Sequence, residues 1–435
     1  MSAEAADANS CDVTSLSHDG RGVAHRNGKT LFITGALPGE RVSVRNLRRK
    51  RSYDEAEVDE LITTSPDRVS PRCPHFGVCG GCSLQHLEPA AQLRMKQAHL
   101  LEELRRTGRV EPEKVMAPLS APVWGYRRRA RLGARFVARK GKVVVGFRER
   151  AAPLVADLKS CEVLSDPFGR LITALSELLT QLSIRARIPQ IEVAAADNGT
   201  AMVLRVLDPP AESDLELLCA FGERHGVQVH LQAGAIESVR ALSDSSSLSY
   251  RLEEFDVEIQ FRPTDFIQVN GALNRLMVAQ AIALLEPSSQ DVVLDLFCGL
   301  GNFTLPLARR AGHIVGVEGD AGLLERARMN ARNNEIANVE FHAANLEAID
   351  TELPWARRSY DRVLLDPPRV GARGALALVA GSGARRVVYI SCHPGSLARD
   401  AGTLVHELGF NLCAAGVMDM FPHTSHVESV AVFGR

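Results

Sequence analysis

The 435-residue chain reads as an α/β multidomain protein. A small β-barrel comes first, then an α+β domain, then a doubly wound α/β domain of Rossmann-like type. Three observations predict this. At about 100–200 residues per domain the length divides into two to four units. Turn signals cut residues 12–70 into short alternating strands, the pattern of a small barrel. From about residue 265 strand-like and helix-like segments alternate, as in a parallel sheet covered on both faces. A composition of 45% hydrophobic and 24% charged residues excludes a disordered chain. No apolar run approaches the ~20 residues that cross a bilayer, so no membrane partner is expected. MSAEAADANSCD carries acids and no apolar core, which argues against a secretory signal; it reads as a frayed tail.

The near-neutral net charge of -1 hides a split. Residues 1–150 carry 27 Lys and Arg against 17 Asp and Glu, and residues 151–435 carry 24 against 35. Basic residues gathered in one third of a chain point to a nucleic-acid partner.

In HDGRGVAHRNGKTLFI two strands meet at Asn27-Gly28, a hairpin turn. RVSVRNLRRKRSYDEAEVDELI reads as a strand pair with a basic bend at Arg45, Arg48, Arg49, Lys50 and Arg51. Residues 70–83 are too rich in Pro, Gly and Cys for a regular element, and a helix is expected from Ala90 to Thr107. Residues 121–150 hold ten basic residues and one acid, Glu149, with Tyr126 and Phe136 interleaved. Alternation there predicts strands with the arginines on one face, where they can neutralise phosphates while aromatics stack on bases. Residues 166–262 alternate helix (167–183, 211–225) with strand (190–196, 201–207, 227–233, 254–261) and show no chemistry.

Nine cysteines in a chain without a signal suggest a reducing, cytoplasmic setting. Cys73, Cys79 and Cys82 lie within ten residues, and Cys161 in DLKSCEVL is the best fourth ligand. Four thiolates suit zinc or an iron–sulfur cluster equally.

DVVLDLFCGLGNFTLPLARRAGHIVGVEGD (291–320) predicts a buried strand, a tight glycine turn, a helix over NFTLPLARRA and a second strand ending in Glu318. Glu318 lies nineteen residues after Gly299, near the ~20 expected for a carboxylate on ribose hydroxyls. The third glycine of the dinucleotide loop is missing, so an adenosyl ligand without pyrophosphate fits better. The form resembles the S-adenosylmethionine (SAM) loop of class I methyltransferases. Asn345 follows a strand and could reach an adenine edge; Asp366-Pro367-Pro368-Arg369 follows another. In RRVVYISCHPGSLARD, Cys392 sits between a strand end and a helix start, where the dipole is expected to lower a thiol pKa. A thiolate adding to carbon 6 of uracil makes carbon 5 nucleophilic, and a base must afterwards remove the carbon 5 proton. Glu428, opening a strand, is the candidate base, with His423 and His426 as further candidates; the base needs burial to raise its pKa.

These motifs together resemble the RNA uracil-5 methyltransferase family, in its branch making 5-methyluridine in 23S rRNA. Residues 12–70 resemble a TRAM domain, and CPHFGVCGGCSLQHL resembles the family's cluster motif. DFIQVN, DLFCGLGNF, GVEGD, NLE, DPPR, SCHP and HVE stand in family order. The resemblance implies a [4Fe-4S] cluster on Cys73, Cys79, Cys82 and Cys161. It implies SAM contacts from Gln268, Phe297, Asn302, Glu318, Asn345 and Asp366, with Gln268 alternatively reading the uracil. It also implies Cys392 as nucleophile and Glu428 as base. His393 departs from the family's usual asparagine, which leaves nucleophile activation open. The domains expected are 12–70 (TRAM), 71–264 (central, with the cysteines and basic sheet) and 265–435 (methyltransferase), with segment 93–124 packing on the last. The partner implied is a single-stranded loop of 23S rRNA, and a monomer is expected. The alternatives are 5-methyluridine formation in another RNA such as tRNA, amino-group methylation of a base around Asp366, and an RNA-binding ribosome-assembly factor without methyl transfer.

Overall fold

The computed structural model describes residues 10–435. Most of the expected N-terminal tail, residues 1–9, therefore lies outside the described residues. Its last three residues are not frayed. Ser10–Asp12 is a strand, paired antiparallel with Arg41 to Ser43.

The hairpin forms where Asn27-Gly28 predicts it. Arg26 faces Lys29 across the turn, and Asn27 (φ 50°) and Gly28 (φ 75°) are both left-handed, as a two-residue type I′ turn requires. Gly22–Arg26, Lys29–Thr34, Arg41–Arg49 and Tyr53–Thr63 join Ser10–Asp12 and Ser15–Leu16 in one six-stranded sheet. Alternate residues Ala24, Leu31, Ile33, Val42 and Val44 fill its core. The opposite register leaves the basic bend outside.

The central sheet runs in the order Val239–Ala241, Val227–Gln232, Thr200–Arg205, Gln190–Ala195, Arg129–Val137, Lys142–Gly146. The helices Phe168–Gln181 and Glu212–His225 contribute Leu175, Leu179 and Leu218 to the core it shares. Along Arg129–Val137 the residues Ala130, Leu132 and Ala134 are buried. The arginines between them point the other way, as period-two alternation dictates. Glu192 on the neighbouring strand pairs with Arg129 (3.3 Å) and Arg131 (2.8 Å), so the basic face is interrupted by one acid.

The third sheet has eight strands, in the order Val339–Ala343, His313–Glu318, Val292–Leu296, Arg362–Leu365, Arg386–Ser391, Glu428–Gly434, Asn411–Met418, Lys114–Val115. The first five are mutually parallel, and Glu428–Gly434 is antiparallel to both neighbours. Its eighth strand comes from before the central sheet: Lys114 and Val115 pair in parallel with Ala414 and Ala415. The helix Pro89–Glu103, shorter than expected and followed by a wide π turn over Leu104–Gly108, packs on the helix Pro394–His406 and on Asn411–Met418. Leu100 and Leu104 are fully buried in the same core as Leu397 and Ala401. The helix expected over NFTLPLARRA is regular only across Thr304–Ala308, because Arg309 onward closes in turns toward the next strand. Among the described residues no helix is long and apolar enough to cross a membrane.

Candidate active site

A cavity of about 560 Å³ opens at the carboxyl ends of the parallel strands, where open α/β sheets bind ligands. Leu296 leads into the glycine loop, His313–Glu318 ends on Glu318, Arg362–Leu365 precedes Asp366, and Arg386–Ser391 precedes Cys392. All four strand ends contribute to the lining, together with Gln268, Phe297 and Asn302. Glu428 enters from the opposite direction. Ser391 pairs with Ser429 across the antiparallel ladder, so Cys392 and Glu428 occupy the adjoining positions of neighbouring strands. Asn345 is not brought to this cavity. It is exposed, and its side chain accepts the Glu347 N–H at 3.0 Å in a turn.

The glycine loop is shaped by backbone geometry. Phe297, Gly299 and Gly301 have φ of 66°, 53° and 92°. The Glu318 carboxylate accepts N–H groups from Gly299 (3.1 Å), Gly319 (2.7 Å) and Asp320 (3.1 Å), which ties the second strand's end to the loop. Asn302 is held face to face with Asn274 by two amide hydrogen bonds, and the Tyr250 hydroxyl donates to its Oδ1 at 2.9 Å. Below the loop, Thr304 donates to the fully buried Asp295 at 2.5 Å.

The charges in the cavity oppose one another. Burial, with the Asp366 carboxylate nearby, pushes Glu428 up to about 8. Burial, with Glu318, pushes Asp366 up to about 7. The expectation of a low thiol pKa at Cys392 is corrected: burial and the Glu428 and Asp366 carboxylates push it up to about 11, with Arg369 opposing. The helix start alone does not offset two acids in a dry site. His393 takes the N-cap of Pro394–His406, its Nδ1 accepting the Ser396 N–H at 3.1 Å, a task an asparagine side chain also performs.

His423 is removed from the candidate bases. It is buried under Trp124, with ring centroids 3.9 Å apart, and its backbone and ring are taken by Gln92. His426 does line the cavity, but burial and nearby cations hold it down at about 4. Sequence reasoning missed Phe266, Leu323, Phe421 and Tyr250, which also line it. Phe266 could have been found beside Gln268; Tyr250 lies on a strand, Leu248–Leu252, that carries no motif.

The four cysteines line one small cavity, walled by Phe76 and Phe147. The Cys79 sulfur accepts the Gly81 N–H at 3.4 Å. Burial and the neighbouring thiols push Cys79 up to about 11 and Cys82 up to about 12. Among the described residues, no group of three or more His, Cys, Asp or Glu side chains is arranged to hold a single metal ion. A tetrahedral zinc site would bring the sulfurs within about 3.8 Å of one another.

Comparison with known proteins agrees along the chain. The family profile of tRNA (Uracil-5-)-methyltransferases matches residues 126–435, and that of the TRAM domain matches residues 11–58. The chain is 52% identical to the 23S rRNA (uracil(1939)-C(5))-methyltransferase RlmD of Alkalilimnicola ehrlichii, over 97% of this chain and 96% of that one. It is 53% identical to the protein of the same name from Xylella fastidiosa, with the same two coverages. Among solved structures, the Pyrococcus abyssi tRNA (uracil-54, C5)-methyltransferase in complex with S-adenosyl-L-homocysteine superposes with a TM-score of 0.75 at 23% identity, covering 98% of this chain and 99% of that one. That likeness speaks to the fold.

Proposed function

Because the chain belongs to the tRNA (uracil-5-)-methyltransferase family, we propose that it methylates carbon 5 of one uridine in 23S rRNA, the uracil 1939 that its relatives carry in their names. The methyl donor is S-adenosyl-L-methionine. The observation that carries this reading is the placement of Cys392 beside Glu428 in the cavity that also holds the glycine loop and Glu318. Methylation of an exocyclic amine would need no thiol there.

The donor's sulfonium supplies an electrophilic methyl group. The cavity fits its nucleoside: Glu318 can accept from ribose hydroxyls, Phe297 and Leu323 give the base apolar walls, and Asn302 is held ready by Tyr250 and Asn274. The target uridine leaves its stack to reach this depth, which is least costly from a single-stranded loop. Cys392 loses its proton, and Sγ bonds to carbon 6. Carbon 5 then takes the methyl group. Glu428 removes the carbon 5 proton, the double bond re-forms, and the S–C6 bond breaks to return Cys392. Because two carboxylates hold the thiol protonated in the free protein, one of them is the natural acceptor of its proton. Asp366 takes the thiol proton and returns it to the released thiolate, which leaves Glu428 free for the carbon 5 proton that it passes to solvent.

The donor set at Cys73, Cys79, Cys82 and Cys161 suits a [4Fe-4S] cluster. The four thiols line one small cavity, and thiolates are the ligands that such a cluster takes. The cluster would hold the 70–83 loop against the central sheet and the C-terminal segment, where Gly80 bonds to Arg148 and both Ser83 and Leu84 bond to His423. The enzyme acts as a cytoplasmic monomer in this reading. Anaerobically prepared protein should contain about four irons and show visible absorbance that Cys82→Ala removes.

Incubation of 5-fluorouridine-substituted 23S rRNA fragments with the protein and SAM tests the reaction. Fluorine replaces the proton that Glu428 must remove, so a covalent complex through Cys392 should accumulate. A complex that persists in Cys392→Ala would refute the assignment. Because the family profile and the archaeal structure name tRNA, adduct formation only with tRNA would move the substrate while keeping the chemistry.

A further inference from the structure

The base-bearing segment is gripped by one face of a distant helix. Lys96 on Pro89–Glu103 is fully buried. Its Nζ donates to Asp419 Oδ1 at 2.6 Å and to the Phe421 carbonyl at 3.0 Å. One turn earlier, Gln92 Oε1 accepts the His423 N–H at 2.8 Å, and its Nε2 lies 3.3 Å from His423 Nδ1. Gln97 Oε1 accepts the Val417 N–H at 3.1 Å. Three side chains from one helix thus hold the backbone at residues 417, 421 and 423. The same stretch carries Phe421 and His426 into the cavity and runs straight into Glu428.

A buried ion pair is a poor way to gain stability, because desolvating two charges cancels most of their attraction. Here an apolar pair of similar volume would fill the space, but it would leave the Phe421 carbonyl without its donor and would supply no cation. The charged and titratable groups around Glu428 are Asp366 and Arg369 from one loop, Cys392 from the neighbouring strand, His426 from its own segment, and Lys96. Asp366, Arg369, Cys392 and His426 line the cavity and meet whatever enters it. Lys96 lies outside the lining, so its charge on Glu428 is independent of bound RNA.

We propose that Lys96, locked by Asp419 and the Phe421 carbonyl, is a positioning residue for Glu428: it fixes the 419–427 segment that leads into the base and sets an ammonium behind it, outside the cavity. This rests on the reading of Glu428 as the base. Lys96 favours the ionised carboxylate and so keeps a deeply buried acid usable near neutral pH.

The test pairs two measurements on the full protein. The variants are Lys96→Met/Asp419→Leu, which removes both charges without orphaning either, and Lys96→Arg, which keeps the cation. Adduct formation with 5-fluorouridine RNA reports Cys392 attack and methyl transfer but not proton removal. Turnover on ordinary RNA against pH reports the base. In the double variant the adduct should form within about threefold of the wild-type rate, while the acid limb of turnover moves up by about one pH unit, a loss of about tenfold at pH 7. Lys96→Arg should leave the limb in place. An unmoved limb in the double variant, or adduct formation and turnover falling together, overturns the proposal. Absence of an adduct in the wild type overturns the reading of the site and this inference with it.

Discussion

Cys392, Asp366 and Glu428 share one cavity, where both carboxylates make the thiol harder to ionise and Asp366 does the same to Glu428. The thiol stands at about 11, Glu428 at about 8 and the loop carboxyl at about 7, which is the signature of carboxylates gathered in a dry site. Two predictions belong to these residues. Glu428→Gln should slow turnover by about 10²–10⁴-fold while a covalent complex with ordinary uridine RNA accumulates, visible as a shifted band on a denaturing gel. The same variant should be more stable than the wild type in alkali. The folded Glu428 titrates at about 8 against an ordinary 4.5, so between those values the folded state binds the extra proton and stability falls as pH rises. The gain in Tm from Glu428→Gln should therefore be small at pH 5 and grow toward pH 9; a gain that is flat across that range would contradict the burial argument. These residues were legible in the sequence as types in the right order. Their mutual electrostatics were not, because the low thiol pKa expected from the helix start ignored acids brought from 26 and 36 residues away in the chain.

At the scale of elements, strand ends and glycines were legible because they obey local rules. The Asn27-Gly28 turn and the strands running into Leu296, Glu318 and Ser391 stand where the pattern placed them. The short helix after the glycine loop was overextended, since turns over 309–312 are indistinguishable from helix by apolar spacing alone. Val239–Ala241 and Leu248–Leu252 were not foreseen, and with them went Tyr250, whose role is set by a hydrogen bond to Asn302 across 52 residues. The loop makes its own prediction. A Cβ on Gly301 would meet Leu305 Cγ at 3.0 Å at a φ of 92°, whereas one on Gly299 meets nothing within 4 Å at a φ of 53°. Gly301→Ala should destabilise the free protein by more than the ~1–2 kcal/mol of a left-handed alanine, and Gly299→Ala by no more than that. Thermal denaturation without SAM separates them; equal losses would show that the Leu305 contact does not shape the loop.

At the scale of the whole molecule, the charge asymmetry describes a division of labour. The basic third supplies the barrel, the cysteine loop and the arginine strand, and the acidic remainder supplies most of the catalytic sheet. The chain interleaves the two by packing the helix Pro89–Glu103 on the catalytic domain and adding Lys114–Val115 to its sheet before the central sheet is built, a crossing that apolar pattern cannot reveal. RNA affinity should fall steeply with salt. Replacing Arg48 and Arg51 of the exposed bend with alanine should reduce the slope of log K against log salt by about one for each phosphate no longer neutralised. An unchanged slope would place the RNA elsewhere.

The most direct measurement is transfer of labelled methyl from SAM to unmodified 23S rRNA by wild type and Cys392→Ala, with the product nucleoside identified by mass spectrometry. The account predicts 5-methyluridine with the wild type and at least a thousandfold less with the variant, the order expected when a nucleophile is removed. Methylated adenosine or guanosine, or 5-methyluridine at an undiminished rate in Cys392→Ala, would contradict it.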